Sequence, residues 1–186
     1  MSKVEPGRYT ATIEGDFVVF IIGARINKLR KVRKWMPVAK AMGPMVKELY
    51  EHPESGFLGA RTMVSGRTVN LIQYWKSVED LQAFAKNPSD LHFPAWRAFN
   101  DKVGSSGDVG VYHETYKVAA HDYETIYANM PVMGLGAARG ADHRKIGAGS
   151  ETAAARLGTS SLDRRLIPTV TRPVESRPGW ATHRRS

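Results

Sequence analysis

The 186-residue chain has no cysteine. Disulfides, thiolate nucleophiles, zinc–thiolate sites and iron–sulfur clusters are therefore excluded. Long apolar runs are also missing. The longest, Phe17 to Ile22, is strand-sized and far short of the ~20 residues a membrane helix needs. Acidic Glu14 and Asp16 precede it, where a secretory leader would carry positive charge, so a cytoplasmic location is expected. No GxGxxG, P-loop, HExxH or nucleophile elbow is present, which removes the best-marked nucleotide, metalloprotease and serine-hydrolase sites. The stretch Gly134-Leu-Gly-Ala-Ala-Arg-Gly140 has neither a hydrophobic strand before it nor a periodic helix after it, so it is no dinucleotide fingerprint.

Acidic residues are scarce toward the end of the chain. The net charge is +9, yet from Gly134 onward there are ten Lys/Arg against four Asp/Glu. Most of the basicity thus sits in the last third, where Gly, Ala, Ser, Thr, Arg and Pro dominate and the apolar residues follow no pattern. Too little apolar surface is available there to offset chain entropy, so residues 134–186 are expected to be a disordered basic tail. Charge alone is a thin case for nucleic acid, and no such partner is expected.

The rest of the chain has room for one domain. Phe17-Val-Val-Phe-Ile-Ile22 is β-branched and aromatic between Gly15 and Gly23, the pattern of a buried strand. Before it, residues 1–15 form an arm in which Tyr9-Thr-Ala-Thr-Ile13 could add an edge strand. After it, Val32, Trp35, Met36, Val46 and Leu49 recur at helical steps. Pro37 and Gly43-Pro44 interrupt that helix, predicting two short helices or a kinked one. Two β-prone runs flank Ser65-Gly66 as a hairpin. Ser77 then caps a second helix with Asp80 three residues on. Asn87-Pro88 breaks it, Phe93 to Phe99 resumes it, and Asp108 to Ala119 is the last clear strand.

The order is β-α-β-β-α-β, the split βαβ unit: a ferredoxin-like α+β domain over residues 16–133 with both helices on one face of an antiparallel sheet. Its strands keep apolar or aromatic residues on both faces, so the other face needs a cover. A second copy closing a dimeric α+β barrel is the economical one, and a homodimer is expected. The segment from Tyr123 to Pro131 either extends the last strand or crosses to that partner.

Several residues could carry chemistry. Tyr74 and Trp75 end a strand, and with Trp96 and Tyr112 they would line a substrate pocket, although packing alone explains such aromatics equally well. His92 falls at the break in the second helix and His113 lies on the last strand; either imidazole could act as acid, base or ligand, the plain alternatives being a capped or solvated His92 and a structural His113 in the dimer interface. Arg25 and Asn27 follow the first core strand, where fixed donors could hold an oxyanion. A solvated loop is the plain alternative.

Five motifs in order, Val18 to Lys28, Lys47 to Gly59, Gln73-Tyr-Trp-Lys-Ser77, Pro94 to Asn100 and Val109-Gly-Val-Tyr-His-Glu-Thr-Tyr116, resemble the fungal polyketide-monooxygenase-like family of the dimeric α+β barrel (antibiotic-biosynthesis-monooxygenase-like) superfamily. The resemblance spans about residues 16 to 133. It implies a monooxygenase-like oxidoreductase acting on a small apolar or aromatic compound, with no cofactor or with haem. In the haem-degrading branch a tryptophan-serine motif at a strand end precedes a helix whose histidine binds iron, and Trp75-Lys-Ser77 and His92 stand in similar order. The resemblance thus implies His92 as the haem ligand if haem is bound. The alternative is a non-catalytic small-ligand-binding or stress-associated dimer.

Overall fold

The computed structural model describes residues 3–87 and 106–157. Their strands are β1 (Val4–Ile13), β2 (Phe17–Ile26), β3 (Phe57–Ser65), β4 (Thr68–Trp75), β5 (Val109–Val118), β6 (Tyr127–Pro131) and β7 (Ala141–Lys145); the two longer helices are α1 (Val32–Glu51) and α2 (Val78–Lys86). They form two sheets. The larger has the order β3-β4-β2-β5 and the smaller β6-β1-β7. All pairings are antiparallel.

Taking β2 as its first strand, the larger sheet is the ferredoxin-like βαββαβ unit expected from the sequence. Its hairpin turns at Gly66-Arg67, with Ser65 opposite Thr68 and Gly66 at φ +56°, a geometry that favours glycine at the first central position. The Ser77 hydroxyl accepts the Asp80 amide at 3.0 Å and starts α2. Side chains of β2 and β4 alternate. Val18, Phe20, Leu71, Gln73 and Trp75 point to the helices, and Val19, Ile21, Asn70, Ile72 and Tyr74 point away. The helix-side core joins Val18, Leu49, Phe57, Trp75 and Leu81. Its Phe57 and Trp75 rings continue outward to the exposed Tyr50 on one side and Phe84 on the other, with successive centroids 5.1 to 5.6 Å apart, a spacing that adds stabilisation to burial itself.

Three expectations need correction. First, α1 runs on through Pro37 and Pro44 as one helix, so of the two alternatives the pair of short helices falls away. The carbonyls these prolines leave without an amide partner belong to Arg33 and Lys40, both on exposed residues, where water can satisfy them. Second, β1 is no edge strand or loose arm. It is the centre of the smaller sheet and pairs with β6 on one side and β7 on the other.

Third, order does not end near residue 133. Gly134–Ala137 forms a 3-10 turn, β7 pairs along β1 from Tyr9 to Ile13, and a further helical turn occupies Ala153–Arg156. Residues 134–157 are therefore structured, while 158–186 lie outside the described residues. Composition misleads here because β7, Ala-Asp-His-Arg-Lys, needs little apolar surface: its backbone is satisfied by β1, and Leu135 and Ala138 supply the buried contacts. Tyr123 packs against the start of β2. Its ring meets Phe17 edge-on at 4.9 Å and its hydroxyl accepts the Ile13 amide at 2.6 Å.

A second core results, made of Phe17, Leu58, Leu135 and Ala138 with Val19, Tyr74, Val118 and Tyr123 around them. It lies on the side of the larger sheet away from the helices. Part of the face expected to need a partner is thus covered by the chain's own later segments. Tyr112, Tyr116 and Met63 on that face stay exposed. No helix among the described residues is long and apolar enough to cross a membrane.

Candidate functional site

Strand alternation sorts the residues singled out in the sequence onto different surfaces. Trp75 faces the helices and is fully buried. Its indole N–H donates to Gln73 Oε1 at 2.8 Å, so both polar groups are satisfied inside the core. Trp75 is a packing residue that shapes the site rather than a wall open to ligand. Gln73 sits opposite Phe20 on β2, and Phe20 sits opposite Thr115 on β5. The His113 ring lies 5.7 Å from the Phe20 ring on the same side. His113 is exposed, as are Val111 and Thr115, while Phe20 and Ile22 are half-buried. Together they make a helix-side shelf over β2 and β5, with an apolar floor and one accessible imidazole.

Other named residues lie elsewhere. Tyr74 and Tyr112 are on the opposite face. The Tyr112 hydroxyl donates to Asn70 Oδ1 at 2.8 Å, crossing over Gly23, where any Cβ would overlap both side chains. Tyr74 is half-buried, and burial first and neighbouring Tyr127 second push its phenol above the usual value. It therefore stays protonated at neutral pH and can donate but not act as a base. Arg25 is exposed at the far end of the face that carries Tyr112. Asn27 Nδ2 donates to the Gly107 carbonyl at 3.1 Å and its amide to Asp108 O at 3.0 Å, a tie between loops. His113 and Arg25 thus lie on opposite faces and do not share a site. His92 and Trp96 lie outside the described residues.

Sequence reasoning missed a cluster in the smaller sheet. The His143 ring stacks on Tyr9 (5.1 Å, 3°) and meets Tyr127 edge-on (5.5 Å). Its Nδ1 is 3.6 Å from Glu5 Oε2, and the Tyr127 hydroxyl accepts the Gly136 amide at 3.1 Å. Glu5 Oε2 and His143 Nε2 are buried without a hydrogen bond among the described residues. Nothing local could have announced these contacts, since Glu5 and His143 stand at opposite ends of the described chain.

Near the same junction a cleft of about 390 Å³ is lined by Ile13, Glu14, Asp16, Phe17, Leu58, Lys76, Arg139 and Gly140. It holds no histidine. Among the described residues no group of three or more His, Asp or Glu could hold a metal ion. His143 is enclosed by Tyr9, Tyr127 and Gly136 and opens onto no slot that would take haem.

The chain is similar to several known proteins. Monooxygenase af470 of Aspergillus fumigatus is 35% identical over 72 residues, which is 39% of this chain and 25% of that protein; the match spans about a quarter of the curated relative. Among solved structures, an aldoxime dehydratase crystallised with butyraldoxime matches 83% of this chain and 43% of its own with a TM-score of 0.50 at 16% identity. The cofactor-independent oxygenase SnoaB of Streptomyces nogalater covers 54% of this chain and 91% of its own, with a TM-score of 0.40 at 12% identity. At such identities the structural likeness speaks to fold alone. The description "monooxygenase af470-like" fits residues 17–135, from the start of β2 to the turn that closes the second core, and the chain belongs to that family.

Proposed function

We propose that this chain is a monooxygenase acting on a small, largely apolar or aromatic compound, bound on the helix-side shelf beside His113. One observation carries the site assignment: an exposed imidazole lies against the apolar Phe20 surface, and the core beneath is held by the Gln73–Trp75 bond. A phenolic substrate would lay its ring on Phe20 and pass its hydroxyl proton to His113. The electron-rich phenolate then reduces dioxygen directly. One oxygen atom enters a ring carbon in place of hydrogen and the other leaves as water, so the conversion of phenol to quinone balances without an external reductant.

The same reading takes the exposed Tyr112, Tyr116 and Met63 surface as the seat of a second copy in a homodimer, which sedimentation would show as a doubled mass.

Purified full-length protein incubated with phenols and naphthols under labelled dioxygen is expected to yield quinones carrying one labelled oxygen. His113→Gln lowers the turnover by about 10²–10⁴-fold, the usual contribution of a positioned base, and leaves thermal stability unchanged. Saturable phenol binding without oxygen uptake would instead mark a non-catalytic binding protein.

A further inference from the structure

The Trp75-Lys76-Ser77 motif divides its residues between two surfaces. Trp75 closes the helix-side core, Ser77 caps α2, and Lys76 lines the cleft at the junction of the two sheets. Its backbone amide is held by Gly56 O at 2.9 Å. Arg139 is brought to the same cleft by the turn that enters β7, and its amide is held by Leu58 O at 2.7 Å. Both cations therefore spring from fixed backbone.

Neither cation is in an ion pair among the described residues. The field of Arg139 reaches Glu54, but that carboxylate bonds His52 at 2.8 Å instead. On the other wall Glu14 is also unpaired, while Asp16 Oδ1 accepts the Ala120 amide at 2.8 Å. Ile13, Phe17 and Leu58 supply apolar lining between the charges.

Lys76, Arg139 and Glu14 are exposed, and their charges of both signs around an apolar lining suit a small molecule that carries both charges and an apolar group. We propose that this cleft binds a zwitterion bearing an apolar group, the chemistry of an apolar α-amino acid. Its carboxylate takes Lys76 and Arg139, its ammonium takes Glu14 with Asp16, and its side chain lies on Ile13, Phe17 and Leu58. The cleft lies on the opposite side of the larger sheet from His113, so the assignment is independent of the proposed reaction.

Calorimetric titration of the full chain with phenylalanine, hydrocinnamate and phenethylamine tests it. Phenylalanine, with both charges, is expected to bind about 10-fold or more tighter than either singly charged probe, since each charge-assisted hydrogen bond carries at least that factor. Arg139→Gln and Lys76→Gln weaken phenylalanine and hydrocinnamate about 10-fold and spare phenethylamine. Glu14→Gln weakens phenylalanine and phenethylamine and spares hydrocinnamate. His113→Gln changes none of the three, and unchanged melting temperatures show that all four variants are folded. Three results overturn the proposal: no saturable phenylalanine binding up to about 10 mM, equal affinity for the three probes, or phenylalanine binding that survives both cation substitutions or fails with His113→Gln.

Discussion

The larger and smaller sheets reach order by different means. In the larger one, β-branched and aromatic strands alternate over a continuous apolar core that includes Trp75 and Phe57, both almost wholly excluded from water. In the smaller one, β6 and β7 expose most of their residues. That sheet is held by backbone pairing to β1, by Thr10 and Thr125 hydroxyls that tie β1 to the segment before β6 (Thr10 Oγ1 to Thr125 O at 2.9 Å, the Ala11 amide to Thr125 Oγ1 at 2.7 Å), and by the stack of Tyr9, His143 and Tyr127. Apolar burial is strong in sequence because it leaves a periodic pattern. Polar docking between distant segments leaves none.

Substitutions can break this contrast or sharpen it. Trp75→Ala should have the largest effect, about 3–5 kcal/mol for an aromatic removed from a packed core, measured by chemical denaturation. Leu135→Ala comes next. If the second core couples the two sheets, it costs about 2–4 kcal/mol and keeps a single unfolding transition. A separate low-temperature transition, or a loss below about 0.5 kcal/mol, would make the smaller sheet an appendage. By the same logic, cutting the chain before Gly134 should lower the melting temperature, because it removes Leu135, Ala138 and β7 together.

His143→Ala should cost about 1 kcal/mol, the scale of one stacked ring pair, and should speed hydrogen exchange in β7 while leaving β2 protected. The gentlest test concerns pH. Asp108 joins the start of β5 to the loop before α1 through Lys28 at 2.8 Å and to the first turn of α1 through Lys34 at 3.3 Å. The Lys28 bond, aided by Lys34 against the opposing effect of burial, holds its carboxyl below the usual range. A carboxyl depressed in the folded state stabilises fully above its unfolded pKa of about 3.9 and loses that contribution as pH falls through the lower folded value. Asp108→Asn should therefore reduce the urea midpoint at pH 7 and flatten its decline toward pH 3 relative to the parent chain.

Much of the larger sheet was legible beforehand. The Phe17 run, the Ser65-Gly66 turn and the Ser77 cap mark β2, the hairpin and the start of α2 by local chemistry. The candidate site was less legible. Tyr74 and Trp75 are neighbours in sequence, yet a strand sends them to opposite faces, so they cannot share one pocket. Trp75 looked like pocket lining because sequence does not show that Gln73 satisfies its indole. The segment after Gly134 looked disordered because Leu135, Ala138 and His143 are few and widely spaced, and only their partners on β1, β2 and β3 make them sufficient.

By itself the sequence determined the βαββαβ unit, the absence of thiol chemistry and the positions of the capped helix and the hairpin, all properties of short-range pattern and composition. Tertiary structure alone decided that β1 is a central strand, that the chain covers part of its own open sheet face, and that Lys76 and Arg139 meet in one cleft. Each of these depends on contacts between segments far apart along the chain. Such contacts form when burial and backbone pairing outweigh the entropy of closing the loops between them, a balance that no local window of residues records.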